Sequence, residues 1–301
     1  MLIAGIDEAG YGPLLGPLVV SAAAFRFPEP LDITDITPAQ KLWTRLAAAV
    51  VSKPSVKSGK LMIADSKVVH RLSEGDRHLE RAVLAMQRLI PGAGDRPEYW
   101  NDLLARLSIS RAGTPEPSAA LPWKSNLAIP AFSENGTITI AANMLQGAIR
   151  SGNTPPAGLW ARVLDVPEYN RMVSATNNKA SVLTSITMMH ARNLHDRFHE
   201  SDLLLFVDKQ GGRDNYTRLL INTFPQARKV RFGLGQPAHG VGVITGGRFE
   251  IRNLPPPPLI KHGHIQFPQI FAYHAGQGGG QAMLLRLFAE NNERLSTRCG
   301  N

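Results

Sequence analysis

The chain has 301 residues, of which 43% are hydrophobic and 19% are charged, a balance typical of a folded globular protein that excludes wholesale disorder. Its 33 Lys and Arg against 24 Asp and Glu give a net charge of +9, which favours a polyanionic partner such as nucleic acid. A single cysteine, Cys299, excludes an internal disulfide framework and a cysteine-rich zinc module.

Neither a secretory leader nor a membrane span is expected from the sequence. The opening residues MLIAGIDEAGYGP carry no basic leader, and two carboxylates interrupt their apolar run. The longest apolar stretch, Leu14–Phe25, contains Gly16 and Pro17 and is too short to cross a bilayer. We therefore expect a cytoplasmic protein without membrane contact.

The first 25 residues predict a strand, a tight turn and a second strand. The apolar run Leu2–Ile6 ends at Asp7 and Glu8, glycines and prolines follow, and Leu18–Phe25 resumes the apolar pattern. Because side chains alternate along a strand, Asp7 and Glu8 should leave it on opposite sides unless the turn redirects one of them.

Further elements follow from the spacing of apolar residues. A helix is expected over 72–90, with Ser73 and Asp76 resembling a capping box, and a short helix near 98–107. The proline-rich stretch around them suggests that 91–175 is an insertion or excursion. Within it, Thr137–Ala141 alternates like a strand, and a helix could follow it.

The second half of the chain predicts another helix and strand in succession. A helix over 178–199, capped near Asn178, runs into the buried strand Asp202–Asp208. A hairpin is expected over 241–251, around Gly246 and Gly247. Helices interleaved with apolar strands indicate an α/β layer fold.

Three acids are the strongest candidates for chemistry: Asp7, Glu8 and Asp208. Each follows a predicted strand, and in open α/β sheets functional sites gather beyond the carboxyl ends of strands. Carboxylates that converge there repel one another unless a cation neutralises them, and hard oxygen ligands suit Mg²⁺ or Mn²⁺. The alternative is that these acids are solvated or cap a following helix.

The residues around these acids resemble the signature blocks of a known family. The segment 3–20, IAGIDEAGYGPLLGPLVV, resembles the opening block of ribonuclease HII, the type 2 ribonuclease H family. Ile63–Lys67 followed by Arg71 resembles its second block, and Phe206–Asp208 resembles the strand that delivers a further metal-binding aspartate. The three blocks come in the family's order.

The resemblance implies a ribonuclease H-like mixed sheet flanked by helices, and metal-dependent cleavage of RNA–DNA hybrids or of ribonucleotides embedded in duplex DNA. It implies that Asp7, Glu8 and Asp208 hold Mg²⁺ or Mn²⁺. It also implies that the turn Gly10–Tyr11–Gly12 contacts the sugar and phosphate of the ribonucleotide, although a plain tight turn would explain the same glycines.

Two lysines are candidate phosphate contacts. The resemblance places Lys67 beside the active site, whereas a loop before the helix over 72–90 is the alternative interpretation. Lys179 opens the predicted helix that leads to Asp208, and from there its ammonium group could reach a substrate phosphate.

The chain also departs from the family's pattern. Tyr11 stands where the family has arginine, so substrate preference could differ. The run that carries the family's fourth acid is not found: no aspartate follows Asp214, Gln281 would be a poor substitute for a charged ligand, and Asp214, Glu250 and His274 are unpersuasive candidates. The alternatives are therefore a catalytically impaired ribonuclease H-like nucleic-acid-binding protein and, ranked lower, an ATP-using phosphotransferase.

The sequence thus predicts a monomeric endoribonuclease whose catalytic domain spans 1–230 and contains the 91–175 excursion. Residues 231–301 are expected to form an atypical C-terminal hairpin and helix segment, possibly within the same domain. The expected partners are an RNA–DNA hybrid or a duplex that contains ribonucleotides.

Overall fold

The structure is a computed structural model, and it describes residues 1–9, 17–29, 37–52, 59–64, 69, 72, 74–109, 127–208, 216–224, 230–234 and 239–244. Its strands are β1 (Leu2–Ala9), β2 (Leu18–Arg26), β3 (Val50–Val51), β4 (Leu61–Met62), β5 (Pro156–Leu164), β6 (Leu203–Asp208), β7 (Val230–Leu234) and β8 (His239–Ile244). Its helices are α1 (Thr37–Leu46), α2 (Gly75–Gln87), α3 (Trp100–Leu107), α4 (Asn135–Gly152), α5 (Val166–Thr176), α6 (Lys179–Arg197) and α7 (Thr217–Thr223).

A mixed six-stranded sheet organises the chain, in the order β5-β2-β1-β6-β8-β7. β1 and β6 are parallel, whereas the other neighbouring pairs in this sheet are antiparallel. β3 and β4 form a separate parallel pair. The expected α/β fold with a mixed sheet flanked by helices is confirmed, and it is consistent with a ribonuclease H-like fold.

Each face of the sheet buries its own hydrophobic core, as the alternation of side chains along β1 requires. Ile3 belongs to one core, which packs against side chains of α1, α2, α3 and α4. Leu2, Ala4 and Ile6 belong to the other core, which packs against α5, α6 and α7. The sheet is therefore covered on both sides, and consecutive residues of β1 lie in different cores.

The strand expected over Thr137–Ala141 is wrong, because this segment belongs to the 18-residue helix α4. The short alternation suggested a strand, but the buried residues Ile138, Ala141, Leu145 and Ala148 recur every three or four positions. That spacing places them on one face of α4, where they pack into the core that contains Ile3.

The two long helices expected from the sequence are present. α2 lies within the predicted 72–90 range and begins after Glu74, which makes no side-chain cap, while Ser73 lies outside the described residues. α6 lies within the predicted 178–199 range, and the Asn178 side chain caps it by accepting hydrogen bonds from the backbone N–H groups of Ala180 and Ser181.

Two other predicted regions contribute to the main sheet. The 91–175 excursion supplies the edge strand β5, which pairs with β2, as well as α3, α4 and most of α5. Of the hairpin expected over 241–251, the structure describes only the part in β8, which pairs with the preceding β7. The predicted turn at Gly246 and Gly247 lies outside the described residues. Within the described ranges, no helix has the length and apolar character needed to cross a membrane.

A buried carboxylate ties α2 to the segment that leads into α4. Glu80 is 2% exposed, and its two carboxylate oxygens accept hydrogen bonds from the backbone N–H groups of Ala131, Phe132 and Ser133 at 2.6–2.9 Å. These are charge-assisted bonds to donors that have no helix or sheet partner there, so the carboxylate fixes the approach of the chain to α4.

We expect Glu80→Gln to lower the free energy of unfolding by about 2–3 kcal/mol, because an amide presents one oxygen and one N–H₂ group to three backbone donors. The measurement is urea denaturation followed by circular dichroism. Glu98→Gln is the matched control, because Glu98 is exposed near the same segment and should change stability little. Equal losses in the two variants would contradict the role given to Glu80.

Candidate active site at the carboxyl ends of two parallel strands

Asp7 is a buried residue near the end of β1. It is 2% exposed, and its Oδ1 accepts a hydrogen bond of 2.9 Å from the backbone N–H of Glu8. Its position in the alternation of β1 is that of Ile3, on the face covered by α1, α2 and α4. A buried ionisable carboxylate is costly in a folded protein, which marks Asp7 as a candidate functional residue.

Asp208 reaches the same edge of the sheet on the neighbouring strand. The parallel ladder between β1 and β6 runs in register from Leu2 opposite Leu203 to Ile6 opposite Val207. Asp7 and Asp208 are the next residues on the two strands, and adjacent strands lie about 4.8 Å apart. The backbone thus brings together two of the three acids that the sequence singled out.

Glu8 occupies the opposite face of β1. It is partly exposed and pairs with Val20 on β2, whereas Asp7 pairs with Ser21. Val20 belongs to the core covered by α5, α6 and α7. The expected divergence of Asp7 and Glu8 along the strand is therefore observed, and a cation held by both would have to lie beyond the end of β1.

Ser21 is a polar residue in this region that sequence reasoning did not single out. It is 4% exposed, it lies directly across from Asp7, and its hydroxyl has no hydrogen-bond partner among the described residues. The one available signal was a single serine within the apolar run Leu18–Phe25. Recognising its importance required the register of β1 and β2, which the sequence does not provide.

His239 is a second residue that the sequence did not point to. It opens β8, where the antiparallel ladder pairs its Cα position with that of Asp208. The edge of the sheet that carries Asp7 and Asp208, called the acidic edge below, is therefore formed by the ends of β1 and β6 and by the beginnings of β2 and β8. A histidine at this register position could be found only once β8 had been paired with β6.

A buried histidine and an ion pair support β2 from the Glu8 face. His190 of α6 is fully buried, and its Nε2 lies 2.9 Å from the carbonyl oxygen of Val20. Since a carbonyl only accepts, Nε2 carries the proton. Arg162 of β5, which pairs with Val20, forms an ion pair of 2.6 Å with Glu168 at the start of α5.

Burial lowers the pKa of His190 to about 3; the hydrogen bond to Val20 opposes this shift, and the positive charge of Arg162 adds to it. The imidazole is consequently neutral at physiological pH. It holds β2 in place one residue away from Ser21.

Lys179 lies at the exposed first position of α6. Since α6 leads into β6, its C-terminal end lies near the start of β1, and its N-terminal end points toward the acidic edge. Lys179 precedes His190 by eleven residues, which is about 16 Å along a helix axis. The lysine thus extends past the level of Val20 and Glu8.

The other predicted site residues, Gly10, Tyr11, Gly12 and Lys67, lie outside the described residues. Among the side chains that the structure describes, no group of three or more His, Cys, Asp or Glu could hold a metal ion. Of Asp208, the structure describes the backbone only.

The chain is similar to ribonuclease HII over about a third of its length. It is 33% identical to the ribonuclease HII of Chlorobaculum tepidum over 101 residues, which are 32% of this chain and 47% of that protein. It is 36% identical over 100 residues to that of Neisseria meningitidis serogroup C, covering 33% of this chain and 48% of the relative. With the Bacillus subtilis protein the identity is 32% over 101 residues, covering 33% and 37%.

These matches confirm the resemblance drawn from the sequence blocks. The chain spans about half the length, or less, of the curated relatives that it matches. No family model matches the chain, and no solved structure matches it significantly.

The titration of His190 should make stability depend on pH. The unfolded histidine binds a proton near its ordinary pKa of 6.5, while the folded one stays neutral down to about 3. As pH falls through this window the unfolded state binds more protons than the folded state. The free energy of unfolding should therefore fall by up to about 1.4 kcal/mol per pH unit.

The measurement is urea denaturation from pH 7 to pH 4 of the wild type and of His190→Gln, whose amide N–H can still donate to Val20. We expect a shallower pH dependence in His190→Gln than in the wild type. His199→Gln, at an exposed site, is the control and should keep the wild-type slope. Parallel pH profiles for the wild type and His190→Gln would refute the assignment.

Proposed function

We propose that this protein is a metal-dependent endoribonuclease that cleaves RNA in RNA–DNA hybrids or at ribonucleotides embedded in duplex DNA. The observation that carries the proposal is the adjacency of Asp7 and Asp208 at the ends of two parallel strands. It is supported by the similarity of about a third of the chain to ribonuclease HII. The single cysteine of the chain agrees with action in the cytoplasm.

The donors present at this edge fit Mg²⁺ or Mn²⁺. Asp7 and Asp208 supply carboxylates from adjacent register positions, Glu8 follows directly, and the hydroxyl of Ser21 lies across from Asp7. These are all oxygen donors, which hard divalent cations prefer. When bound, such a cation supplies Lewis-acid polarisation of the phosphate and makes water a better nucleophile.

The chain's own residues account for the shape of the site. The backbone N–H of Glu8 orients the Asp7 carboxylate, and the ladders to β2 and β6 fix the strand that carries it. Burial of Asp7 keeps its carboxylate out of bulk water, where its attraction for a cation would be screened. These contacts support the proposed role of Asp7 as a ligand that is held in position before substrate binds, as electrostatic catalysis requires.

The substrate would be held by groups around this edge. A net charge of +9 attracts a polyanion, and the exposed Lys179 is the proposed contact for a phosphate beyond the scissile one. Gly10, Tyr11, Gly12 and Lys67 are proposed to contact the ribonucleotide and its phosphates. The 2′-hydroxyl would be the feature that distinguishes an RNA site from DNA. We further propose that the protein acts as a monomer.

A second candidate function is nucleic-acid binding without cleavage. It is favoured by one observation: no aspartate follows Asp214, so the family's fourth acid has no direct counterpart. The two functions share the substrate and differ in turnover, and a single assay can therefore distinguish them.

With Mg²⁺ or Mn²⁺, we expect the wild type to cut a duplex that bears a single ribonucleotide or a full RNA–DNA hybrid, and to leave all-DNA duplex intact. Asp7→Asn should reduce cleavage by about 100-fold or more, because it removes a proposed ligand worth several kcal/mol in the transition state. Asp95→Asn, which removes an exposed carboxylate, should cut like the wild type.

Labelled duplexes resolved on a denaturing gel provide the measurement, and hybrid binding is followed by fluorescence anisotropy. Absence of cutting with either metal, by folded protein that still binds the hybrid, would favour the binding protein. Cutting that survives in Asp7→Asn would contradict the proposed site.

Lys179→Gln should weaken hybrid binding and lower the salt dependence of log K by about one unit, because one phosphate contact is lost. Binding is measured by anisotropy at several NaCl concentrations. Arg150→Gln is the control, since Arg150 is exposed near the end of α4, and the strand that follows, β5, begins at the opposite end of the sheet from Asp7. An unchanged slope in Lys179→Gln would exclude the proposed contact.

A further inference from the structure

Ser21 presents a buried hydroxyl in a setting that offers it almost no polar neighbour. The residue is 4% exposed, and its Oγ has no hydrogen-bond partner among the described residues. Burying a hydroxyl in this way costs free energy, and alanine would fit a run that continues Ala22, Ala23 and Ala24 without that cost. A serine at this position is therefore expected to have a hydrogen-bond partner for its hydroxyl, and it makes no such bond to the described residues.

The sheet identifies which group that partner would be. Along β2, the neighbours on the same face are Val19 and Ala23, and across the ladder on β5 the neighbour is Ala161. On the other side the residue directly opposite is Asp7. Among these four positions Asp7 is the only polar one, and directly paired residues have Cβ atoms about 5 Å apart.

We propose that Ser21 is a positioning residue of the cation site: its hydroxyl hydrogen-bonds to the Asp7 carboxylate, directly or through one water, when a divalent cation is bound. This inference rests on the proposed function and concerns the same site. A carboxylate that binds a cation through one oxygen is oriented by a hydrogen bond to the other, and such supporting donors affect metal affinity strongly.

The position of Ser21 is fixed by the elements around it. β2 is the inner neighbour of β1, so both of its ladders hold the serine at the level of Asp7. The next carbonyl along β2, that of Val20, accepts the hydrogen bond from His190. The backbone of Ser21 is therefore held opposite Asp7 by its strand pairing on both sides.

The test is direct Mn²⁺ binding to the full chain, measured from the electron paramagnetic resonance signal of free Mn²⁺ at constant ionic strength. We expect Ser21→Ala to weaken Mn²⁺ binding about tenfold. Its melting temperature in EDTA should be equal to or above that of the wild type, since an unpartnered buried hydroxyl is removed. A hydroxyl with a merely structural role would change the melting temperature and leave Mn²⁺ affinity unchanged.

Thr154→Val provides the matched control. Thr154 is fully buried, its hydroxyl also has no partner among the described residues, and it precedes β5 at the opposite end of the sheet from Asp7. This variant should bind Mn²⁺ like the wild type, so weakening confined to Ser21→Ala would locate the effect at the site.

The outcomes separate this inference from the proposed function. Loss of Mn²⁺ binding in Asp7→Asn, with affinity in Ser21→Ala within twofold of the wild type, would overturn the role of Ser21 and leave the proposed site standing. A wild type that binds no Mn²⁺ would overturn both. Equal weakening in Ser21→Ala and Thr154→Val would also overturn the role of Ser21.

Discussion

Parallel pairing between β1 and β6 is the constraint on which the candidate site depends. Because the two strands run in the same direction and in register, their carboxyl ends reach one edge of the sheet together. The hydrogen bonds of this ladder, together with the covering helices, hold Asp7 and Asp208 on adjacent strands against their mutual repulsion. The antiparallel neighbours β2 and β8 begin at the same edge, where Ser21 of β2 pairs with Asp7 and His239 of β8 occupies the register position opposite Asp208.

The two faces of the sheet differ at the level of the acids. Toward α5 and α6, His190 donates a hydrogen bond to the carbonyl of Val20 and Arg162 pairs with Glu168, while His190 Nδ1 and Arg162 Nε have no hydrogen-bond partner among the described residues. These two contacts tie β2 to α6 and β5 to α5. Toward α1 and α2, the same level of the sheet carries the buried carboxylate of Asp7 and the hydroxyl of Ser21, and that hydroxyl has no hydrogen-bond partner among the described residues. The contacts on the face covered by α5 and α6 therefore hold β2, the strand that carries Ser21 on the opposite face.

The sequence predicted the elements better than their pairing. Asp7 and Asp208 are recognisable in the sequence because each ends a short apolar run. The strand prediction for Thr137–Ala141 is wrong because five residues are too few to distinguish the spacing of a helix from that of a strand. The helical spacing is visible only when the pattern is followed through Ala148. Ser21 and His239 were not found, since their relevance lies in cross-strand register, which residues far apart in the chain determine together.

The opposed directions of Asp7 and Glu8 limit how three carboxylates can share the proposed cations. At the proposed site, the carboxylates of Asp7 and Asp208, which lie at one register level, would balance one divalent cation, whereas Glu8 lies on the other face of β1. Three carboxylates and two divalent cations together carry one net positive charge. The single negative charge of a substrate phosphodiester would neutralise it. In a chain where no aspartate follows Asp214, occupancy of a second proposed cation position would therefore be linked to substrate binding. The same balance gives weight to neutral donors such as the Ser21 hydroxyl, which orient a carboxylate without adding charge.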